Sequence, residues 1–121
     1  MFEVMVEDSF DAAHCLRGYE GLCENLHGHT YRVQCVLRLS ELDQRGIALD
    51  FREIKQALQQ AVSELDHTYL NELPRFQVDN PTAENLAKYI FELMKDKLGA
   101  PLTKVTVWET PTSAASYYEE G

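Results

Sequence analysis

Apolar side chains stand at positions 2, 4, 6, 10 and 12 of "FEVMVEDSFDAAH", with mostly polar residues between them. A period of two is that of a strand with one buried face. The pattern predicts a strand over 2–14, and unless a bulge intervenes it places His14 on the buried parity. Residues 15–26, "CLRGYEGLCENL", have two glycines and no period, which predicts a loop. Alternation then returns over 27–40. His27 and His29 share a parity there with Tyr31, Val33, Cys35, Leu37 and Leu39, which predicts a second long strand.

The period next changes. Phe51, Ile54, Ala57, Leu58, Ala61, Val62 and Leu65 fall on one helical face, and Asp50 with Glu53 has the form of a capping box. "DHTYLNELPRFQVDNP" is a connecting segment. A second helix is expected with Pro81 near its first turn and Thr82 at its start. Its inner stripe is Leu86, Ile90, Leu93 or Met94, and Leu98, and Gly99 and Pro101 end it. "LTKVTVWE" and "SAASYYEE" flank "TPT" as a hairpin. The order ββααββ predicts an α+β fold: a four-stranded antiparallel sheet with both helices on one face.

The 121 residues suit one domain, 1–121, and the 45% apolar content supports a packed core. No apolar run approaches the ~18 residues of a membrane span. The first residues carry no basic or apolar leader, so a cytoplasmic location is expected. The formal charge of −9 argues against nucleic-acid or anionic-membrane partners, which require a basic field. Cysteines at 15, 23 and 35 are too few and odd in number for a disulfide framework. Cys35 reads as a small core residue.

Candidate chemistry centres on the histidines. Residues i and i+2 of a strand point the same way, so His27 and His29 can aim at one point. His14 on the neighbouring strand can supply a third nitrogen. Three histidines without a fourth protein ligand form the pattern of catalytic zinc, whereas two imidazoles on an apolar face with no partner are costly. Cys23 reads either as a fourth ligand or as an acid–base or nucleophilic thiolate. Asp66 can orient His67. Glu109, in alternation with Val105 and Val107, is a carboxylate that requires a pair of donors or lies past the strand end.

"SFDAAH", C-x-x-x-H-G-H at 23–29, "LDF", "LDHTYLN", "NPTAENLA" and "VWETPTS" occur in this order. Together they resemble the 6-pyruvoyltetrahydropterin synthase superfamily from about residue 9 to residue 117. The Cys-to-His spacing is most similar to its bacterial carboxytetrahydropterin-synthase branch in queuosine biosynthesis. The resemblance implies a tunnelling fold whose subunits join edge to edge in rings. It implies Zn²⁺ on His14, His27 and His29, an acid–base role for Cys23, and a relay completed by Asp66 and His67. It implies Glu109 as the pterin anchor, with Thr82 lining the same pocket. The implied reaction converts 7,8-dihydroneopterin triphosphate to 6-carboxytetrahydropterin, acetaldehyde and triphosphate. A homo-oligomer is expected, a hexamer of two trimers, with Cys23 and the zinc from one subunit and Asp66–His67 from its neighbour. Two other readings stay open: triphosphate elimination to 6-pyruvoyltetrahydropterin, and a non-catalytic module with a structural Cys-His₃ zinc. Near the metal motif Arg17 is the loop's basic residue, beside Glu20 and Glu24, and no phosphate contact is assigned.

Overall fold

A computed structural model of the chain describes residues 1–18 and 23–119, with Cys23 and Glu24 described by backbone alone. Two long strands, β1 (Phe2–Arg17) and β2 (Cys23–Leu39), form an antiparallel pair. Helix α1 (Phe51–Ser63), a two-residue strand β3 (Thr68–Tyr69), two 3-10 turns (Leu70–Glu72 and Pro74–Phe76) and helix α2 (Ala83–Leu98) follow. The chain closes with the hairpin β4 (Leu102–Thr110) and β5 (Ser113–Tyr118). The sheet order is β3-β1-β2-β4-β5.

The fold class is α+β with two helices, but the sheet has five strands where four are expected, and the element order gains β3. The extra strand pairs parallel with β1 at Ala12 and Ala13 only. Two residues are too short to show any period, which is why the sequence pattern hides them. β1 also runs past His14 to Arg17, and β2 begins at Cys23, so much of the expected loop is strand. The register shifts between His14 and Leu16, and this bulge turns both His14 and Cys15 inward.

Both helices cover one face of the sheet. Val6, Phe10, Tyr31, Val33, Leu37 and Val107 of the strands pack against Ile54, Leu58, Leu86, Ile90, Phe91 and Met94 of the helices. Each such side chain contributes about 1.5–3 kcal/mol when fully buried. Asp50 caps α1 by accepting from the Arg52 amide, and the Arg52 guanidinium holds the same carboxylate. Phe51 lies outside the stripe assigned to it. At the first helical position it is exposed, overhanging the sheet's end beside Phe2 and Leu42. In α2, Met94 and not Leu93 is the fully buried choice. Thr82 is its N-cap, accepting from the Asn85 amide at 3.1 Å, and Gly99 ends it at φ 72°. The opposite face of the sheet is polar, with Glu3 against Arg38 and Arg32 stacked 4.1 Å over the Trp108 ring. No described helix is long and apolar enough to cross a membrane.

Candidate metal centre

The β1–β2 register sets His14 directly opposite His27 and Ala12 opposite His29. All three rings therefore project from the helix-covered face at one end of the sheet. They stand edge-on to one another, with centroids 4.5, 4.6 and 5.2 Å apart. Beneath them Tyr31 stacks on Phe10 at 4.8 Å, so the histidines rest on the apolar core.

Two contacts decide which ring nitrogens face inward. His14 Nδ1 donates to the Pro81 carbonyl at 2.9 Å, and Tyr31 Oη lies 3.1 Å from the same nitrogen. His27 Nδ1 donates to the Asn25 carbonyl at 2.8 Å. A carbonyl only accepts, so both rings carry their proton on Nδ1 and present Nε2 as a lone pair. Those two Nε2 atoms are 2.9 Å apart. Two lone pairs at that distance repel unless a cation or an extra proton sits between them. His29 Nε2 is buried and has no hydrogen-bond partner among the described residues. A buried, orphaned acceptor aimed at two others is the arrangement a metal ion satisfies.

Glu109 joins this group. Its Oε1 lies 3.1 Å from His14 Nε2 and 3.3 Å from His29 Nε2. The donor atoms of His14, His27, His29 and Glu109 all lie within 4.8 Å of one another. Burial lowers the His29 pKa below the usual imidazole value. The Glu109 carboxylate opposes that shift, and the other two histidines add to it. A depressed pKa keeps the ring neutral and able to act as a ligand. Burial, reinforced by the Glu109 carboxylate, raises the Tyr31 pKa and keeps its hydroxyl protonated. The donor set fits zinc: imidazoles and one carboxylate.

Asp66 and His67 lie elsewhere. They form a separate cluster with Asp11, whose side chain belongs to the parity opposite His14 and so to the polar face. The Asp11 amide donates to Asp66 Oδ1 at 2.9 Å, and Asp66 Oδ2 lies 3.0 Å from His67 Nδ1. The Asp11 carbonyl accepts from the His67 amide at 2.6 Å, and its carboxylate accepts from the Thr30 hydroxyl. His67 has φ 56°, a left-handed conformation unfavourable for a side chain with a Cβ. With Nδ1 held by Asp66, Nε2 is the nitrogen left outward, on a largely exposed ring.

Thr82 is half-buried at the α2 N-terminus, one residue after the carbonyl that holds His14. The Cys23 side chain, residues 19–22 and the Glu24 side chain lie outside the described residues. Arg17 is engaged structurally: its guanidinium donates to the carbonyls of Asn71, Phe76 and Asp79. Sequence reasoning missed two asparagines. Asn71 exchanges hydrogen bonds with the backbone N–H and C=O of Cys15, and Asn80 does the same at Arg17. Each side-chain amide stands in for a strand's backbone and fastens the irregular segment to the end of β1. That fastening brings the Pro81 carbonyl to His14. The Asn-Pro pair at 80–81 was the available signal; nothing in the sequence around Asn71 marks its burial.

The family model for 6-pyruvoyl tetrahydropterin synthase matches residues 3–120. A protein of Synechocystis sp. named 6-carboxy-5,6,7,8-tetrahydropterin synthase is 37% identical, over 98% of this chain and 94% of its own. A dihydroneopterin monophosphate aldolase of Pyrococcus furiosus is 36% identical over 88% of both chains. The solved 6-pyruvoyl tetrahydropterin synthase of Caenorhabditis elegans superposes with a TM-score of 0.83 at 33% identity, covering 99% of this chain and 98% of that one. By sequence over nearly its whole length and by fold, the chain belongs to the 6-pyruvoyl tetrahydropterin synthase family.

Proposed function

We propose that the protein is a zinc-dependent 6-carboxytetrahydropterin synthase acting in queuosine biosynthesis. Its substrate would be 7,8-dihydroneopterin triphosphate. With one water consumed, the products are 6-carboxy-5,6,7,8-tetrahydropterin, acetaldehyde and triphosphate. The observation that carries this reading is the set of converging acceptors, His14, His27, His29 and Glu109, in a chain of this family.

His14, His27 and His29 hold the ion, their orientation set by the Pro81 and Asn25 carbonyls and the strand register. Bound there, zinc supplies Lewis acidity that lowers the pKa of the substrate's side-chain hydroxyls. The Glu109 carboxylate accepts from the pterin's exocyclic amine and adjacent ring N–H, a bidentate match that fixes orientation. Thr82 borders the pterin's place. Cys23 moves protons at the first side-chain carbon, and the exposed His67 Nε2, poised by Asp66, takes the proton from the second hydroxyl. Within one chain that pair forms a cluster separate from the histidines, at the outer edge of β1. A centre using both therefore takes Asp66–His67 from a second copy, in a hexamer built by pairing sheet edges. Among the described residues the part of β1 before Asp11 has no strand on its outer side, and β5 ends the other side of the sheet, so both edges could take such pairing.

A second reading is aldol cleavage of dihydroneopterin monophosphate to 6-hydroxymethyl-7,8-dihydropterin and glycolaldehyde phosphate. What favours it is the similarity to the relative named for that activity. Incubation of pure, zinc-loaded protein with each substrate, followed by product mass, tests both. Carboxytetrahydropterin from the triphosphate supports the proposal. A 6-pyruvoyl product, or turnover of the monophosphate alone, overturns it.

A further inference from the structure

Glu109 occupies a place that a purely substrate-binding carboxylate has no reason to hold. Four tetrahedral donors with bonds of about 2.0–2.1 Å to a zinc-sized ion lie about 3.3–3.4 Å apart. Glu109 Oε1 stands 3.1 Å from His14 Nε2 and 3.3 Å from His29 Nε2, close to those edges. Hydrogen bonding does not explain the approach. His14 spends its proton on Pro81, so its Nε2 and the carboxylate are both acceptors, and His29 Nε2 has no hydrogen-bond partner among the described residues. A cation reconciles all of them.

The same residue has somewhere else to go. Trp108 is the last β4 residue paired with β2, opposite Arg32, and Glu109 follows where the strands part. An open cavity of about 470 Å³ lies beside that gap, lined by residues 28–30 and Arg32 of β2 and residues 108–111 of β4, with the Arg32–Trp108 stack as its polar-face wall. Glu109 lines it, and its side chain is about one-third exposed. One carboxylate thus borders both the histidine cluster and an open cavity.

We propose that Glu109 is the fourth ligand of the resting metal centre and leaves it to accept the pterin's paired N–H groups. The resting centre is then closed, and an open coordination position is created only when the substrate takes the carboxylate away. The exchange rests on the pterin reading above, whereas the ligation does not. Linkage makes the effect mutual: the pterin weakens metal retention by the factor by which the metal weakens pterin binding.

The test uses Co²⁺ as a spectroscopic stand-in and 6-methylpterin, which lacks side-chain hydroxyls and so can report only on the ring's site. In a chelator competition without pterin, Glu109→Gln and Glu109→Ala should bind Co²⁺ about tenfold more weakly or worse. Their visible spectra should already differ from the wild type's. Adding 6-methylpterin to wild-type Co²⁺ protein should move its spectrum toward that of Glu109→Gln, while pterin fluorescence records binding independently. Variant proteins that keep wild-type circular dichroism, Co²⁺ affinity and spectrum overturn the ligation. Pterin that binds without changing the wild-type spectrum overturns the exchange. Absence of any pterin binding discards the exchange together with the pterin reading, and leaves the ligation to be decided by the metal arm alone.

Discussion

His14 and His67 both face a carboxylate, yet their side chains are 1% and 78% exposed. His14 belongs to a cluster carried by three long strands and seated on Phe10 and Tyr31. Its ring is fixed by packing, by strand register and by the Pro81 carbonyl. The cluster of Asp11, Asp66 and His67 has no such floor. It is tied by backbone hydrogen bonds to Asp11 and by a two-residue parallel bridge. The first cluster is a rigid receptacle built by the core. The second is an exposed imidazole–carboxylate pair held in an unfavourable backbone conformation, the kind of strain that surrounding structure sustains at functional sites.

The largest effect should come from treating the two histidines alike. His14→Ala removes an inward-facing imidazole and leaves a buried gap, with the Pro81 carbonyl and Tyr31 hydroxyl deprived of a partner. Metal content should fall to near zero, and stability by about 2–4 kcal/mol. His67→Ala should keep metal and fold while turnover collapses. Metal analysis, urea unfolding of the metal-free proteins and product assay separate the two. If His67→Ala also lost its metal, the two clusters would not be independent.

Complementation examines how the clusters meet. Cys23→Ala and His67→Ala, each inactive, are dissociated, mixed and reassembled. A centre shared between copies regains activity at roughly a quarter of its junctions under random assortment. A centre completed within one chain regains none, despite proven subunit exchange.

The same contrast explains what the sequence revealed. Strand parity is a property of long elements, so His14, His27 and His29 could be placed on one face before any coordinates, and the helix stripes likewise. What escaped depends on short elements and on side chains acting as backbone. β3 is two residues long. The β1 extension passes through a bulge that breaks the parity rule just where Cys15 turns inward. Asn71, Asn80 and Arg17 do their work through main-chain atoms of distant residues, and no periodicity encodes such contacts. Glu109 lay between. Its parity put it on the helix-side face, but only the splaying of β4 from β2 shows how near the histidines it comes.

A smaller effect should come from the strained residue. At φ 56° a glycine is relaxed where histidine is not. His67→Gly should remove the base and the strain together, abolishing turnover while raising stability by about 0.5–1 kcal/mol over His67→Ala. Thermal melts of the two variants compare them directly. Equal melting temperatures would mean that the surrounding hydrogen bonds, and not the backbone angle, set the energetics there.

The smallest effect is one of pH, and it isolates the exposed cluster. The Asp11 amide beside Asp66 holds its carboxyl below the ordinary carboxylate range, with His67 adding to the shift. A group whose pKa is lower folded than unfolded stabilises the fold when ionised. Its contribution is fully present above the unfolded carboxyl value of about 3.9 and fades as pH falls through the folded value. In Asp66→Asn the amide oxygen can still accept from Asp11, but the charge is gone. Wild type should therefore melt slightly higher than the variant at pH 7, hold that margin down to the ordinary carboxyl range, and lose it below. Metal ligation by protonatable groups is itself pH-dependent. The melts are therefore run on metal-free protein, where the histidine cluster contributes no metal-release transition. A margin that persists unchanged at pH 2 would show that Asp66 acts through shape and hydrogen bonding alone, not through its charge.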